Sequence, residues 1–235
     1  MENISKEKEY VKELFSAITP AYDLLNTILS MGLDKKWRRF VIDSSGISEK
    51  SMVLDLCTGT GELAAGFAGK IGSGGMVVGM DFCPGMIGKA KLKFPQKEYP
   101  SLSFVEGDVY SIPYPDNYFD CITAAFGVRN LEDPGKAFVE IRRAAKPGGR
   151  IIILELTRPA NPLLKALYFP YLNVFLPLLG GLVSGSFGAY RYLARTISDF
   201  LSPEEVKGLM EGAGLKKIKI IPLSGGIATV HIGIK

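Results

Sequence analysis

Acidic residues stand at or near the ends of three apolar segments, where each could contact a ligand. Asp55 lies in a short apolar run just before a glycine-rich turn, Asp81 ends the next run, and Asp108 ends the third. The turn contains Gly59 and Gly61, which lack a Cβ and let the backbone approach a ligand closely. The helix that follows offers free N–H groups to a carboxylate or a phosphate. This order of residue types predicts a nucleotide site.

The three carboxylates also indicate which nucleotide fits. Asp55 could meet an ammonium group, and Asp81, about twenty residues further on, could accept both ribose hydroxyls. Asp108 could accept a hydrogen bond from an adenine amino group, while the backbone N–H of Val109 donates to a nitrogen of the adenine ring. Ribose, adenine and an amino-acid tail without pyrophosphate describe S-adenosylmethionine. The Gly-x-Gly-x-x-Ala spacing of the turn also satisfies a looser dinucleotide fingerprint, so an NAD-dependent oxidoreductase remains an alternative.

Strands and helices that alternate along the chain are predicted to position these residues. The strands are predicted at 52–57, 76–81, 102–108, 118–126 and 150–156, with helical segments at 64–67, 84–94 and 131–145. Their near-continuous Val, Ile and Leu runs are typical of a parallel sheet covered on both faces. Two further strands, at 216–221 and 227–234, predict an antiparallel hairpin at a sheet edge. The predicted fold class is α/β, doubly wound and mostly parallel.

Length and composition predict one globular domain over residues 1–235. Hydrophobic residues make up 47% of the 235 residues and charged residues 22%. Residues 1–45 are predicted to form a helical N-terminal extension, with a break at Gly32, and residues 159–200 an apolar insert. The net charge of +4 is too mild to indicate a nucleic-acid partner.

Cysteine and histidine usage predicts a cytoplasmic protein without a metal site. The three cysteines include no C-x-x-C pair, which indicates reduced thiols, and there is a single histidine, His231. His231 lies in a strand pattern and is expected to be a packed or half-exposed strand residue. The N-terminal segment is polar, so no signal peptide is expected.

Two segments, residues 166–190 and 35–39, allow both a structural and a functional interpretation. Residues 166–190 carry no charge and are long enough to span a bilayer, but their prolines and glycines would break a single helix, so a spanning helix is not expected. Residues 35–39 read KKWRR. We expect a solvated basic helix face with Trp37 packed beneath it.

Several longer strings resemble a known family. They are PDNYFDCIT at 115–123, FGVRN at 126–130, KPGGR at 146–150, YDLLN at 22–26, YRYL at 190–193 and GGIATVH at 225–231. Together they resemble the ubiquinone/menaquinone biosynthesis C-methyltransferases over nearly the whole chain. The resemblance implies a class I, Rossmann-like fold that uses S-adenosylmethionine to methylate a carbon of a polyprenylated quinol. Demethylmenaquinol is the expected acceptor, and the benzoquinol of ubiquinone synthesis is the alternative.

The resemblance also implies cofactor contacts at Thr60, Asp81, Asp108, Val109 and Ala125. Many family members have serine where this chain has Ala125, so a hydroxyl contact there must be replaced by backbone or water. The family's pair of small residues before the Gly-Thr-Gly turn is Cys-Thr here, at 57–58.

A quinol carbon becomes nucleophilic as a ring hydroxyl loses its proton, so the site needs a base or a stabiliser of the developing oxyanion. Arg129 is the first candidate, and its structural alternative is a salt bridge to Glu132 or Asp133. Arginine stays protonated, so water or a carboxylate would take the proton. Asn130 could orient the quinol oxygen.

Tyr22 and Asp23, on the N-terminal extension, could close over the cofactor, with Asp23 a candidate base. The insert could form an apolar lid that meets the membrane surface at its inner face. A core helix pair or a homodimer interface is the alternative use of the insert. A non-catalytic subunit that binds the cofactor or the quinone is the alternative from another functional class, and an RNA methyltransferase is disfavoured because no basic stripe is present.

Overall fold

The computed structural model describes residues 22–178, 181 and 187–235, which build a seven-stranded sheet. Its strands are β1 (Met52–Leu56), β2 (Met76–Asp81), β3 (Leu102–Glu106), β4 (Phe119–Ala125), β5 (Ala145–Leu156), β6 (Lys216–Leu223) and β7 (Ala228–Ile234). The order is β3-β2-β1-β4-β5-β7-β6. Strands β1 to β5 pair in parallel, while β7 is antiparallel to both β5 and β6. The predicted parallel sheet and C-terminal edge hairpin are confirmed.

Helices separate β1 from β2, β2 from β3 and β4 from β5, as predicted. The helices are α1 (Tyr22–Leu29), α2 (Leu33–Ser44), α3 (Glu62–Ala68), α4 (Pro84–Lys93), α5 (Pro134–Ala144), α6 (Pro162–Pro170), α7 (Phe187–Asp199) and α8 (Pro203–Gly212). Gly32, with φ 75°, separates α1 from α2 at the expected break. Ser202 begins α8 with a capping box to Glu205, which satisfies N–H groups that the first turn leaves free.

Helices cover both faces of the sheet, which explains why its strands are apolar on both sides. Trp37 of α2, Phe67 of α3 and Ile87 of α4 belong to the core on one face. Phe138 of α5 and Met210 of α8 belong to the core on the other. Within the sheet, the chain runs from β1 outward through β2 to β3, and then returns to β4 on the other side of β1. The carboxyl ends of β1 and β4 therefore border the crevice where open α/β sheets bind ligands.

The insert after β5 builds a third, smaller core. Tyr168 of α6, Leu172 of a π-helical turn (Tyr171–Phe175) and Ile197 of α7 pack together. Leu156, the last residue of β5, packs against this cluster, so the insert lies beside the carboxyl end of β5. Within the described part of the chain, no helix is both long and apolar enough to cross a membrane.

Candidate active site

The loop after β1 is held by the carboxylate at the end of β2. Gly59 has φ 56° and Gly61 has φ 85°, values that suit glycine in a tight turn. The backbone N–H of Gly59 donates to Oδ2 of Asp81 at 2.8 Å, and the N–H of Cys83 donates to Oδ1 at 2.9 Å. Burial raises the pKa of Asp81, although these N–H bonds oppose the shift. The two oxygens together have four lone pairs, so at least one remains for a ligand hydroxyl.

Asp55 anchors the same loop from inside the sheet. Its two oxygens accept hydrogen bonds from the hydroxyls of Thr58, at 2.7 Å, and Thr123, at 2.8 Å. The side chain is buried and lines neither of the two cavities described below. Burial raises its pKa to about 6.

A polar cavity of about 1440 Å³ opens at the carboxyl ends of β1, β2 and β4. Of the predicted cofactor residues, Gly59, Asp81, Asp108 and Val109 line it. Thr60, Gly61 and Ala125 do not. The cavity therefore brings together the residues predicted to meet the ribose and the adenine. A nucleoside fits this set, because its hydroxyls and amino group can donate to carboxylates and its base can accept from a backbone N–H.

A second cavity, of about 310 Å³, lies between α2, the β5 end and the insert, and we call it the apolar cavity. Its walls include Trp37, Leu156, Leu164, Tyr168 and Leu172. Trp37 packs beneath the basic segment as expected and donates from Nε1 to Ser224 Oγ at 3.0 Å. Arg38 of that segment departs from the expected solvated face, because it is half-buried and lines this cavity. The position of Trp37 in a cavity wall was not predicted, because the other walls come from residues far away in sequence.

Phe126 and Arg129 line both cavities. Phe126 follows β4 with φ 62°, an unusual value for a bulky side chain. Arg129 follows it in a short 3₁₀ turn (Val128–Asn130), and its Nη1 donates to the Phe126 carbonyl. The guanidinium thus stands at the junction between a polar and an apolar space.

A buried ion pair fixes Arg129. Nη1 of Arg129 lies 2.6 Å from Oε1 of Glu155, and the two side chains are only 5% and 1% exposed. Oε2 of Glu155 accepts from the backbone N–H of Arg129 at 3.2 Å. Glu132 and Asp133, the partners considered from the sequence, do not form this pair. Glu155 was missed, although a carboxylate inside the apolar run at 150–156 was a signal of the same kind as Asp55.

The remaining candidates lie apart from the junction or at its edge. Asn130 lines the polar cavity and accepts from the Tyr192 hydroxyl at 3.3 Å. Asp23 lines neither cavity, accepts from the Thr60 hydroxyl and pairs with Lys93 at 2.8 Å. Burial opposes ionisation of Asp23, but the hydrogen bonds from Lys93 and Thr60, with the charges of Lys93 and Lys89, outweigh it and lower its pKa, which makes it a weaker base. The Tyr22 side chain falls outside the described part of the structure.

His231 is a packed strand residue, as expected. Its Nε2 lies 2.9 Å from the Pro203 carbonyl, so that nitrogen donates, and burial lowers the pKa of the ring. It lines neither cavity.

Sequence comparisons connect the chain to a described family. A model of the ubiE/COQ5 methyltransferase family matches residues 2–235. The chain is 39% identical over 236 residues to the "Ubiquinone/menaquinone biosynthesis C-methyltransferase UbiE" of Geotalea uraniireducens, covering 100% of both chains. It is 36% identical over 233 residues to the protein of that name from Hahella chejuensis, covering 99% of this chain and 94% of the relative.

Solved structures share the fold. A SAM-dependent methyltransferase from Aquifex aeolicus aligns with a TM-score of 0.63 at 21% identity, covering 84% of this chain and 88% of that one. The [4+2]-cyclase SpnF aligns with a TM-score of 0.63 at 17% identity, covering 96% and 94%. The expected class I, Rossmann-like fold is confirmed.

Proposed function

Because the chain belongs to the ubiE/COQ5 methyltransferase family, we propose that it methylates a ring carbon of demethylmenaquinol. Membership establishes the coarser activity, a C-methyltransferase of quinone biosynthesis that depends on S-adenosyl-L-methionine. It also removes the NAD-dependent oxidoreductase from consideration. The naphthoquinol ring and the roles of individual residues are the proposal.

The polar cavity is the proposed cofactor site. Asp81 would accept hydrogen bonds from the ribose hydroxyls, and Asp108 would accept one from the adenine amino group. The Val109 N–H would donate to a nitrogen of the adenine ring. Gly59, which lacks a Cβ, would let the backbone of the loop come close to the cofactor. The cofactor supplies an electrophilic methyl group on sulfur. Asp55 would act indirectly, because it holds the loop through Thr58.

The outer part of the loop and the end of β4 would support the same cofactor. Thr60 and Gly61 shape the loop, and Thr60 ties it to Asp23 of α1. Ala125 ends β4 beside Phe126. Asp23 and Tyr22 are proposed to cover the cofactor from α1, without a role for Asp23 as the base.

One observation carries the acceptor site, namely that the polar and apolar cavities share Phe126 and Arg129. A quinol ring in the apolar cavity would reach a methyl group in the polar cavity only near these residues. The Arg129 guanidinium would stabilise the oxyanion that develops on the ring, in a site with little water. Asn130, on the polar side, would orient a quinol oxygen through its amide.

The walls of the apolar cavity favour a fused ring. Trp37 and Phe126 lie with their ring centroids 6.1 Å apart, and both line the cavity. A naphthoquinol offers a second apolar ring to such walls, whereas the benzoquinol of ubiquinone synthesis carries a methoxy group in that region. This contrast supports demethylmenaquinol as the acceptor.

A methylation assay tests the proposal. Purified protein, S-adenosylmethionine and a one-isoprene demethylmenaquinone, reduced or oxidised, would be analysed by mass spectrometry beside the reduced benzoquinone precursor. We expect product only from reduced rings, with kcat/KM for the naphthoquinol at least about tenfold higher than for the benzoquinol. A higher kcat/KM for the benzoquinol would contradict the ring assignment. Binding of both ligands without turnover would instead support the non-catalytic subunit.

We further propose that the insert meets the inner face of the membrane, from which the polyprenyl tail would enter. Leu163, Leu167 and Phe175 are 73%, 66% and 58% exposed, and Leu167 also lines the apolar cavity. Exposed apolar groups of this kind beside a cavity suit an interface with lipid. A homodimer through the same surface is the competing proposal.

Co-sedimentation with anionic vesicles tests the membrane proposal. The double variant Leu163→Glu, Phe175→Glu should reduce vesicle binding at least about tenfold, because each charge opposes burial in lipid. Val139→Glu, on α5, is the matched control, since Val139 is 58% exposed on a different face. Equal binding of the wild type and the double variant would contradict the proposal, and a concentration-dependent dimer lost in the double variant would support the homodimer.

A further inference from the structure

A carboxylate stands in the wall of the apolar cavity. Asp34, in the first turn of α2, is 8% exposed and lines this cavity. Its Oδ1 accepts from the Ser30 hydroxyl at 2.8 Å. Among the residues that the structure describes, no cation lies within salt-bridge distance of Asp34 and no donor reaches its Oδ2. Burial of a carboxylate is costly unless donors satisfy it, so Oδ2 is an acceptor that a ligand can use.

A donor lies one helical turn away, on the same face of α2. Arg38, four residues after Asp34, also lines the apolar cavity. Its guanidinium carbon lies 5.1 Å from the centre of the Phe126 ring. Its Nε is buried, and within the described ranges no acceptor is bonded to it. Asp34 and Arg38 thus place an unused acceptor and an unused donor in the wall of the same, largely apolar cavity.

We propose that Asp34 selects the reduced form of the quinone ring by accepting a hydrogen bond from one of its hydroxyls, to whose oxygen Arg38 donates. This inference rests on the proposed function. A quinol hydroxyl both donates and accepts, so it satisfies the Asp34 carboxylate and the Arg38 guanidinium together. A quinone carbonyl only accepts. Its oxygen would face the Asp34 carboxylate without a proton between them, which leaves a buried charge unpaired.

Selection of the reduced ring at the binding step would keep an unreactive, oxidised ring out of the site. Only the reduced ring is electron-rich enough to attack a methyl group, so an oxidised ring in the same cavity would be an inhibitor. Sites that hydrogen-bond a substrate hydroxyl reject analogues without it, because the polar groups of the site are then left unpaired. Asp34 is therefore a specificity-determining residue that acts before methyl transfer.

Ring binding can be measured without turnover. Trp37 is the only tryptophan and lines the apolar cavity, so its fluorescence reports occupancy there. The probe is a one-isoprene demethylmenaquinone, either oxidised or reduced with borohydride under argon, in the presence of S-adenosylhomocysteine. We expect the wild type to bind the reduced ring at least about tenfold more tightly than the oxidised ring. Asp34→Asn should bring the two affinities within about threefold, because an amide N–H can donate to a carbonyl.

Two further variants separate recognition from general damage. Arg38→Met should weaken the binding of the reduced and the oxidised ring by a similar factor, since a guanidinium donates to a hydroxyl oxygen and to a carbonyl oxygen alike. Asp43→Asn is the matched control, an exposed aspartate on the same helix, and should keep the wild-type preference. The affinity of Asp34→Asn for S-adenosylhomocysteine should equal that of the wild type, because Asp34 does not line the polar cavity.

The outcomes separate this inference from the proposed function. An unchanged preference for the reduced ring in Asp34→Asn overturns the inference and leaves the proposed function standing. Failure of the wild type to bind either ring, with S-adenosylhomocysteine bound, overturns both. If Asp34→Asn loses S-adenosylhomocysteine binding, Asp34→Ser replaces it under the same expectation.

Discussion

Arg129 carries a positive charge at a nearly buried position, and Glu155 is the group that makes this possible. The ion pair spans 2.6 Å between the end of β5 and the turn after β4. Such a pair is not strong evidence of stability in itself, but removal of one partner leaves the other charge buried and uncompensated. Glu155 is thus a positioning residue that holds the guanidinium at the cavity junction.

Glu155→Gln should destabilise the protein markedly. We expect the free energy of unfolding to fall by about 3 kcal/mol, because the amide leaves the Arg129 charge uncompensated. Urea denaturation followed by circular dichroism measures this value. Asp43→Asn, which disrupts an exposed pair with Lys70, should leave the free energy of unfolding close to that of the wild type. Equal effects of the two substitutions would contradict the buried-pair interpretation.

Asp55 makes stability depend on pH in the opposite sense to a carboxylate whose pKa is lowered by folding. Burial raises its pKa to about 6 from the ordinary 3.8. Between these values the folded chain keeps a proton that the unfolded chain has lost. The contribution of this group to stability is therefore full below about pH 4 and is lost as the pH rises to about 6.

Asp55→Asn should remove this pH dependence, because an amide does not titrate. We expect the stability of the wild type relative to the variant to fall between pH 4 and pH 6 by up to about 3 kcal/mol, and to stay constant above that range. Urea unfolding of both proteins across this range measures the difference. A difference that grows with rising pH would show that the pKa of Asp55 is lowered.

The turn after β4 is the element that joins the two cavities, and it depends on close contact with the loop after β1. Cys57, with φ 51°, packs directly against Gly127. A Cβ added at Gly127 would overlap the Cβ of Cys57 and lie 2.8 Å from its Sγ. Phe126 and Arg129 flank this contact, so the position of both depends on the absence of a side chain at Gly127.

Gly127→Ala should therefore cost stability and methyl transfer together. We expect a loss of about 1–3 kcal/mol in the free energy of unfolding, typical of an overpacked core. Cys57→Gly should restore most of the loss in the double variant, since it removes the Cβ that clashes and glycine suits the left-handed conformation at 57. Urea denaturation of the four proteins gives the coupling energy. Additive effects would contradict the contact as the cause.

At the level of elements, the sequence predicts most of what the structure contains. All seven strands were predicted within two residues of their observed bounds except β5, which begins at Ala145 instead of residue 150. The early part of β5 contains Pro147, Gly148 and Gly149, residues that indicate a turn when tertiary context is unknown. The start of α8, in contrast, depends on local signals, because Ser202 caps the helix and Pro203 suits its first turn.

At the level of the whole molecule, the polar cavity could be predicted and the apolar cavity could not. The former arises where successive parallel strands end, so strand-end residues such as Asp81 and Asp108 identify it. The latter arises where α2, the end of β5 and the insert meet, more than 100 residues apart in sequence for Trp37 and Tyr168. Glu155 was missed because its pairing with Arg129 is defined only by packing, and Asp34 because the cavity that it lines is defined in the same way.

The crystal structure of a ternary complex would test the central claim most directly. The protein would be crystallised with S-adenosylhomocysteine and a reduced one-isoprene menaquinone. We predict the nucleoside against Asp81 and Asp108, and the quinol ring in the apolar cavity with an oxygen in hydrogen-bond contact with Arg129 and its methyl group facing the sulfur. A ring bound outside the apolar cavity, with no oxygen at Arg129, would contradict the account.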